Sequence, residues 1–216
     1  MELDDHREET RIKANNEKWT EYRRRTKEKL PKKPLVKLLD KLESGKAIEL
    51  GPGSGIDTLY LLEKGWQVLG VDSASGTEED IRSLISTKNE EALANFSFIN
   101  QSFEKLELEK EEYDLLVGFN SVFFCSPEKF NDFFETLTGS IKPQGYLLIN
   151  LLGKKDDWNK TGSRYKTFLE KEEILELLKD FEIDENTIKE REFDSKTTIS
   201  KIPKHWHTFF ICAKKK

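Results

Sequence analysis

Cysteine, histidine and long apolar runs are all scarce in these 216 residues, and each scarcity excludes something. The two cysteines, Cys125 and Cys212, stand too far apart in sequence to suggest a disulfide framework or a zinc ligand cluster, so no metal is expected. No apolar run approaches the ~20 residues that a membrane helix needs. The opening Met1-Glu2-Leu3-Asp4-Asp5 is charged and lacks the apolar core of a secretory leader. The expected setting is therefore a reducing cytoplasm, with no membrane partner. A one-signed charge field is missing too: a net charge of −5 lacks the basic surplus of a dedicated nucleic-acid binder. No nucleic-acid partner is expected, and oligomeric state is not legible.

Hydrophobic and charged residues each make up 36% of the chain. The charges are of mixed sign and the apolar residues fall in periodic blocks, which predicts a globular body. Its length suits one well-cored domain. Residues 1–33 stand apart as a polar helical arm, with 11 basic against 8 acidic residues. Trp19 and Tyr22, three apart, share a helical face there. They either staple a solvated arm to the body or form a flap over a site. The triplet Arg23-Arg24-Arg25 reads as an exposed helix face, or as an attractor for an anionic substrate.

Residues 34–216 form the expected main domain. Pro34 opens a helix with Leu35, Leu38, Leu39 and Leu42 at helical spacing, closed by Gly45. Strands are predicted at 46–50, 66–72, 96–99, 113–119, 146–152, 181–193 and 206–213. Helices lie between them: one with Ile56, Leu59 and Leu62; one with a capping box at Thr77 and Asp80; one from Ser126-Pro127 carrying Phe130, Phe133, Phe134 and Leu137; and one capped by Thr167 and Glu170. Strands alternating with helices predict a Rossmann-like α/β fold, a seven-stranded, mostly parallel sheet with helices on both faces. The last two strands are joined by roughly ten residues, too few for a crossover helix, so the seventh strand should run antiparallel.

The segment Ile48-Glu49-Leu50-Gly51-Pro52-Gly53-Ser54-Gly55-Ile56-Asp57 lies between the first strand and a helix. In an open α/β sheet that turn holds the ligand, beyond the carboxyl ends of the strands. Gly51, Gly53 and Gly55 allow tight turning and close approach. A dinucleotide fingerprint places its third glycine where this chain has Ile56, which is too bulky. Glu49 before the loop repels a pyrophosphate but suits a ligand bearing an ammonium and a sulfonium. Asp72, ending the second strand, is placed to accept both ribose hydroxyls. Together these residues point to S-adenosylmethionine.

With these motifs the chain resembles class I S-adenosylmethionine-dependent methyltransferases from about residue 15 to 213. The glycine loop matches their first motif and Asp72 their ribose-binding acid. The resemblance puts Asn100-Gln101-Ser102-Phe103 at the third motif, where Ser102 replaces the usual adenine-contacting aspartate and Phe103 offers its backbone N–H. Phe119-Asn120-Ser121 falls at the fourth, by the expected methyl position, and Lys142-Pro143-Gln144-Gly145 resembles the turn before strand five. The ending Pro203-Lys204-His205-Trp206-His207-Thr208-Phe209 and the run from Asn150 to Trp158 are similar to small bacterial methyltransferases of the tellurite-resistance and thiopurine type. The implied function is methyl transfer to a small-molecule acceptor. A non-catalytic S-adenosylmethionine-binding regulator and a nucleic-acid methyltransferase are the alternatives.

Methyl transfer needs positioning, exclusion of water and, for some acceptors, a base. An antiparallel seventh strand starts at the ligand edge, which brings His205 and His207 there on one face and Trp206 on the other. The histidines are the candidate catalytic bases, with structural roles at the strand start as the rival reading. Trp19, Tyr22, Phe124, Asp157, Trp158 and Trp206 are the candidate substrate-facing side chains. Cys125 is read as a packed apolar residue.

Overall fold

The computed structural model describes residues 15–162 and 165–216. The part of the expected arm before residue 15 lies outside them. The chain runs through α1 (residues 15–26), α2 (Lys33–Leu39), β1 (Lys46–Leu50), α3 (Ile56–Glu63), β2 (Gln67–Asp72), α4 (Thr77–Asn89) and β3 (Phe96–Asn100). It continues with β4 (Tyr113–Gly118), α5 (Pro127–Ser140), β5 (Ile141–Gly153), the single turn α6 (Asp157–Lys160), β6 (Phe168–Leu169), α7 (Lys171–Leu177), β7 (Phe181–Glu182), β8 (Ile188–Lys196) and β9 (Pro203–Lys215).

The strands form one sheet in the order β3-β2-β1-β4-β5-β9-β7, with β8 also on β9 and β6 against the end of β5. The pairs β3–β2, β2–β1, β1–β4 and β4–β5 are parallel. As expected, β9 runs antiparallel to β5, with Thr208 opposite Leu152 and Lys214 opposite Tyr146. Strand order reverses at β1 and β4, so the loops after their carboxyl ends open a crevice there.

Apolar residues on both faces account for the layers. On one face, Phe130, Phe133, Phe134 and Leu137 of α5 and Ile174 of α7 pack on Leu116, Leu147 and Ile149. On the other, Leu35 and Leu38 of α2, Leu59 and Leu62 of α3, and Ile81 and Ile85 of α4 pack on Ala47, Leu115 and Leu148. Each such large side chain contributes about 1.5–3 kcal/mol on burial.

The sheet has nine strands where seven were expected. The extra ones are the two-residue β6 and a division of the expected strand 181–193. Asp184 divides it: its Oδ1 accepts from the Asn186 N–H and the Thr187 hydroxyl, a local turn that takes the backbone out of the ladder. Two expected caps are also different. Gly76, at φ +76°, is the N-cap of α4, while Thr77 and Asp80 turn to Arg23 of the arm. The Thr167 hydroxyl donates to the Cys125 carbonyl, and Glu170 with Glu173 forms the capping box of α7. Ser126 holds the N-cap position of α5 without a side-chain bond. Among the described residues, no helix is long and apolar enough to cross a membrane.

Candidate cofactor and acceptor cleft

A cleft of about 1600 Å³ opens along the carboxyl edge of β1, β2 and β4 and continues along the α2 side of β5, β9 and β8. Gly51 and Gly53 form part of its wall. Gly51 has φ +63°, and a Cβ there would lie 2.5 Å from the Ser121 Cβ. Gly55 stands behind the wall at φ +76°, where a Cβ would lie 2.8 Å from Ile81 Cγ1, so α3 and α4 meet through its missing side chain. Ser121 ties the opposite loop to this turn by donating to the Leu50 carbonyl at 2.5 Å.

Two carboxylates flank the loop. Asp72 ends β2 on the cleft wall, and its Oδ1 accepts from the Ala74 N–H at 2.8 Å. Burial raises its pKa, opposed by that hydrogen bond and by the charge of Arg23. Glu49 is buried beneath the loop rather than on the cleft wall, and accepts from the Thr58 hydroxyl at 2.5 Å. Burial and then repulsion by Asp57 push the Glu49 acid up to about 8.

The arm covers this end. Tyr22 lies 3.4 Å from where a Cβ on Gly53 would be, and Trp19 meets Phe124 edge-on at 5.2 Å. Arg23 is buried, in contrast to the exposed face expected for its triplet. It donates to Asp80 Oδ2 at 2.5 Å, Thr77 Oγ1 at 3.1 Å, the Ser75 carbonyl at 3.1 Å and Thr20 Oγ1 at 3.2 Å. Sequence reasoning missed this residue. Its signal was position: Trp19, Tyr22, Arg23 and Thr26 fall at one helical face.

Ser102, Phe103 and Asn120 also line the cleft. Asn120 has φ +57°, donates its N–H to Asn150 Oδ1 at 2.7 Å, and accepts from Asn150 Nδ2 at 3.2 Å. Asn150, a second residue the sequence did not single out, thereby holds the loop after β4 against β5.

Beyond Asn120 an aromatic chamber closes the site. Phe124 and Trp158 lie 6.2 Å apart, Trp158 and Trp206 5.1 Å, and Trp206 and Phe193 6.3 Å between ring centres. A buried pair supports it from behind. Lys204 Nζ lies 2.5 Å from Asp156 Oδ2, 3.4 Å from the Trp206 ring centre and 4.3 Å from that of Trp158. Asp156 also accepts from the N–H groups of Trp158 and His207. The Trp206 Nε1–H is the buried side-chain donor that finds no acceptor among the described residues. Lys166 Nζ sits 5.1 Å from the Trp158 ring centre, and burial, together with the charges of Lys18 and Lys204, lowers its pKa.

The two histidines are not part of this chamber. Alternation along β9 sends Trp206, Thr208 and Phe210 into the cleft and leaves His205 and His207 on the reverse face. His207 is buried; its Nδ1 accepts the Lys155 N–H at 3.2 Å, so Nε2 carries the proton and donates to Glu190 at 2.8 Å. His205 Nδ1 lies 2.9 Å from Asp194, which raises its pKa. The expectation of a histidine base is corrected on this ground. Asp157 also turns away from the cleft, accepting from the His205 N–H at 2.6 Å and from Lys160 at 2.7 Å.

Glu190, Glu192 and His207 bring ligand atoms within 4.8 Å of one another. A cation at His207 Nε2 would require a ring with no proton at all, because Nδ1 already accepts; metal-bound histidines instead donate from the second nitrogen. Cys125 is buried and its thiol is pushed up to about 12, chiefly by burial, which makes it inert packing.

Sheet order, glycine loop and crevice together define the fold of S-adenosylmethionine-dependent methyltransferases. The family model described as "Tellurite resistance protein TehB" matches residues 20–194, and the chain belongs to that family. Among solved structures, TehB from Haemophilus influenzae superposes with a TM-score of 0.70 at 19% identity, over 85% of this chain. This chain covers 62% of that protein's length. Phosphoethanolamine N-methyltransferase 2 from Haemonchus contortus, in complex with phosphomonomethylethanolamine and S-adenosylhomocysteine, matches at TM-score 0.61 and 15% identity, over 84% of this chain and 51% of its own. The 1,6-didemethyltoxoflavin-N1-methyltransferase from Burkholderia thailandensis, bound to 1,6-didemethyltoxoflavin and S-adenosylhomocysteine, matches at 0.55 and 17%, over 85% and 77%. No curated protein matches the chain.

Proposed function

We propose that this protein is an enzyme that uses S-adenosylmethionine to methylate a small-molecule acceptor held in the aromatic chamber. The observation that carries the reading is one continuous cleft lined by the glycine turn and Asp72, by Asn120, and by Trp158 and Trp206. Family membership and the ligands of two structural neighbours support it. The residues fit the donor: the Gly51–Gly53 turn leaves the room side chains would fill, and Asp72 offers carboxylate oxygens to a ribose.

S-adenosylmethionine supplies an electrophilic methyl carbon when bound. The chain contributes a carboxylate for the ribose, backbone N–H groups around the loop, and apolar walls that exclude water. For acceptors that must lose a proton, Lys166 is the candidate base: it lines the cleft 5.1 Å from the Trp158 ring centre, and burial favours its neutral amine against the opposing charge of Asp156. Two unpaired thiols, Cys125 and Cys212, suit a reducing cytoplasm.

The test is conversion of S-adenosylmethionine to S-adenosylhomocysteine across small thiols, phenols, selenite and tellurite. Asp72→Ala should weaken S-adenosylhomocysteine at least about tenfold, the loss of a charged hydrogen bond. Lys166→Met should lower kcat for thiols and phenols while sparing that affinity, whereas His205→Ala should retain activity. Binding of NADH with no binding of S-adenosylhomocysteine would overturn the reading.

A further inference from the structure

We propose that the acceptor is an organic anion with at least two acid groups, held in a basic trough over β8 and β9 while its nucleophilic atom enters the chamber. This deepens the methyltransferase reading and rests on it.

Strand β8 sorts its charges by face. Lys189 and Arg191 line the cleft, whereas Glu190 and Glu192 alternate onto the reverse face with Asp194. From the opposite wall Lys37 of α2 and Lys41, just after it, line the same cleft. Phe210 is paired in register with Lys189 and lies on the floor between the walls. Lys189, Lys41 and Cys212, two residues along β9 from Phe210, line the same stretch of cleft. Burial raises the pKa of the Cys212 thiol, while the charges of both lysines act against that rise and the charge of Asp184 acts with it.

Among the described residues, none of these four cations has a carboxylate within ion-pair distance, while the reverse-face acids are engaged. Glu190 meets His207, Glu192 meets Lys155, and Asp194 meets His205. At the far rim Glu182 lies 4.0 Å from Lys214. Asp184 accepts from Asn186 and Thr187 but keeps its charge, which reaches Lys189 without an ion pair and offsets part of the basic field at that end. Like charges facing one another across an apolar floor repel, and an anionic ligand would relieve that repulsion.

Size sets the ligand class. A usual ligand pocket measures roughly 300–1,000 Å³, so a cleft of about 1600 Å³ has room for a sizeable second molecule beside the donor. Lys189 and Arg191, two apart on a strand, are separated by roughly 6.8 Å. One carboxylate is shorter than that row, so a second acid group is needed to meet both cations of β8.

Inorganic pyrophosphate is the probe, titrated calorimetrically into the full chain with and without S-adenosylhomocysteine. It should bind, and Lys189→Ser with Arg191→Ser should weaken it about tenfold or more, as expected for loss of charge-assisted bonds. Lys37→Ser with Lys41→Ser should do the same from the other wall. Glu190→Gln with Glu192→Gln alters net charge by two in the opposite direction on the reverse face and should leave binding nearly unchanged, where an effect of net charge alone would tighten it. Unchanged S-adenosylhomocysteine affinity reports an intact fold in each variant. Absence of pyrophosphate binding, or binding that tightens in the reverse-face pair as much as it weakens in the trough pairs, overturns the trough. A chain that binds pyrophosphate but not S-adenosylhomocysteine overturns the methyltransferase reading and leaves the trough standing.

Discussion

A carboxyl group buried beneath the glycine loop ties the donor site to pH. Glu49 is pushed up to about 8, first by burial and then by Asp57, so near neutrality the ligand-free chain holds it largely protonated. A folded-state value above the unfolded one gives stability that is present at low pH and lost as pH rises through the folded value. The ligand-free protein should therefore weaken between about pH 4.5 and 8, and Glu49→Gln should remove that component from the melting profile. A cationic ammonium placed near Glu49 reverses the balance by favouring the ionised form. S-adenosylhomocysteine should then bind more tightly as pH rises through the same window and release a proton, read by calorimetry in buffers of different ionisation heat. A flat affinity profile with no proton release would mean that Glu49 does not meet the ligand's ammonium.

Helix α1 is the element whose role depends most on distant partners. Three of the four Arg23 contacts reach the start of α4 and the loop after β2, the loop whose Ala74 N–H holds Asp72. Arg23→Ala leaves Thr77 and the Ser75 carbonyl without their donor and should cost about 2 kcal/mol of arm docking. Hydrogen exchange should rise across residues 15–26 and S-adenosylhomocysteine affinity should fall, with the exchange of β1 and β4 unchanged. Unaltered exchange in the arm would show that Trp19 and Tyr22 hold it alone. The glycine turn, the parallel strands and antiparallel β9 were legible in the sequence because each is set by local spacing or loop length. The arm's clamp was not, because Arg23 is indistinguishable by composition from its neighbours Arg24 and Arg25. The Thr77–Asp80 cap misled for the same reason: a residue more than fifty positions away took the atoms a local cap would use. Alternation correctly put His205 and His207 on one face, but period alone does not say which face meets the cleft.

At the scale of the molecule, one cleft gathers pieces that are far apart in the chain: the arm, the glycine turn, the end of β2, the loop after β4 and the β8–β9 edge. A net charge of −5 conceals the basic wall on that edge, because the acids of β8 face the other way. A donor bound in such a place stabilises several connections at once and is absent from the unfolded state. At a concentration of about 100 times its Kd, S-adenosylhomocysteine should add about 2.7 kcal/mol to unfolding free energy. For a chain of this size that corresponds to a rise in Tm of roughly 5–10 °C. The rise should be smaller for Arg23→Ala at the same ligand concentration, since part of the binding energy is then spent on ordering the arm. Equal shifts in the two proteins would place the donor outside the arm's reach, and no shift in either would remove S-adenosylmethionine from the site.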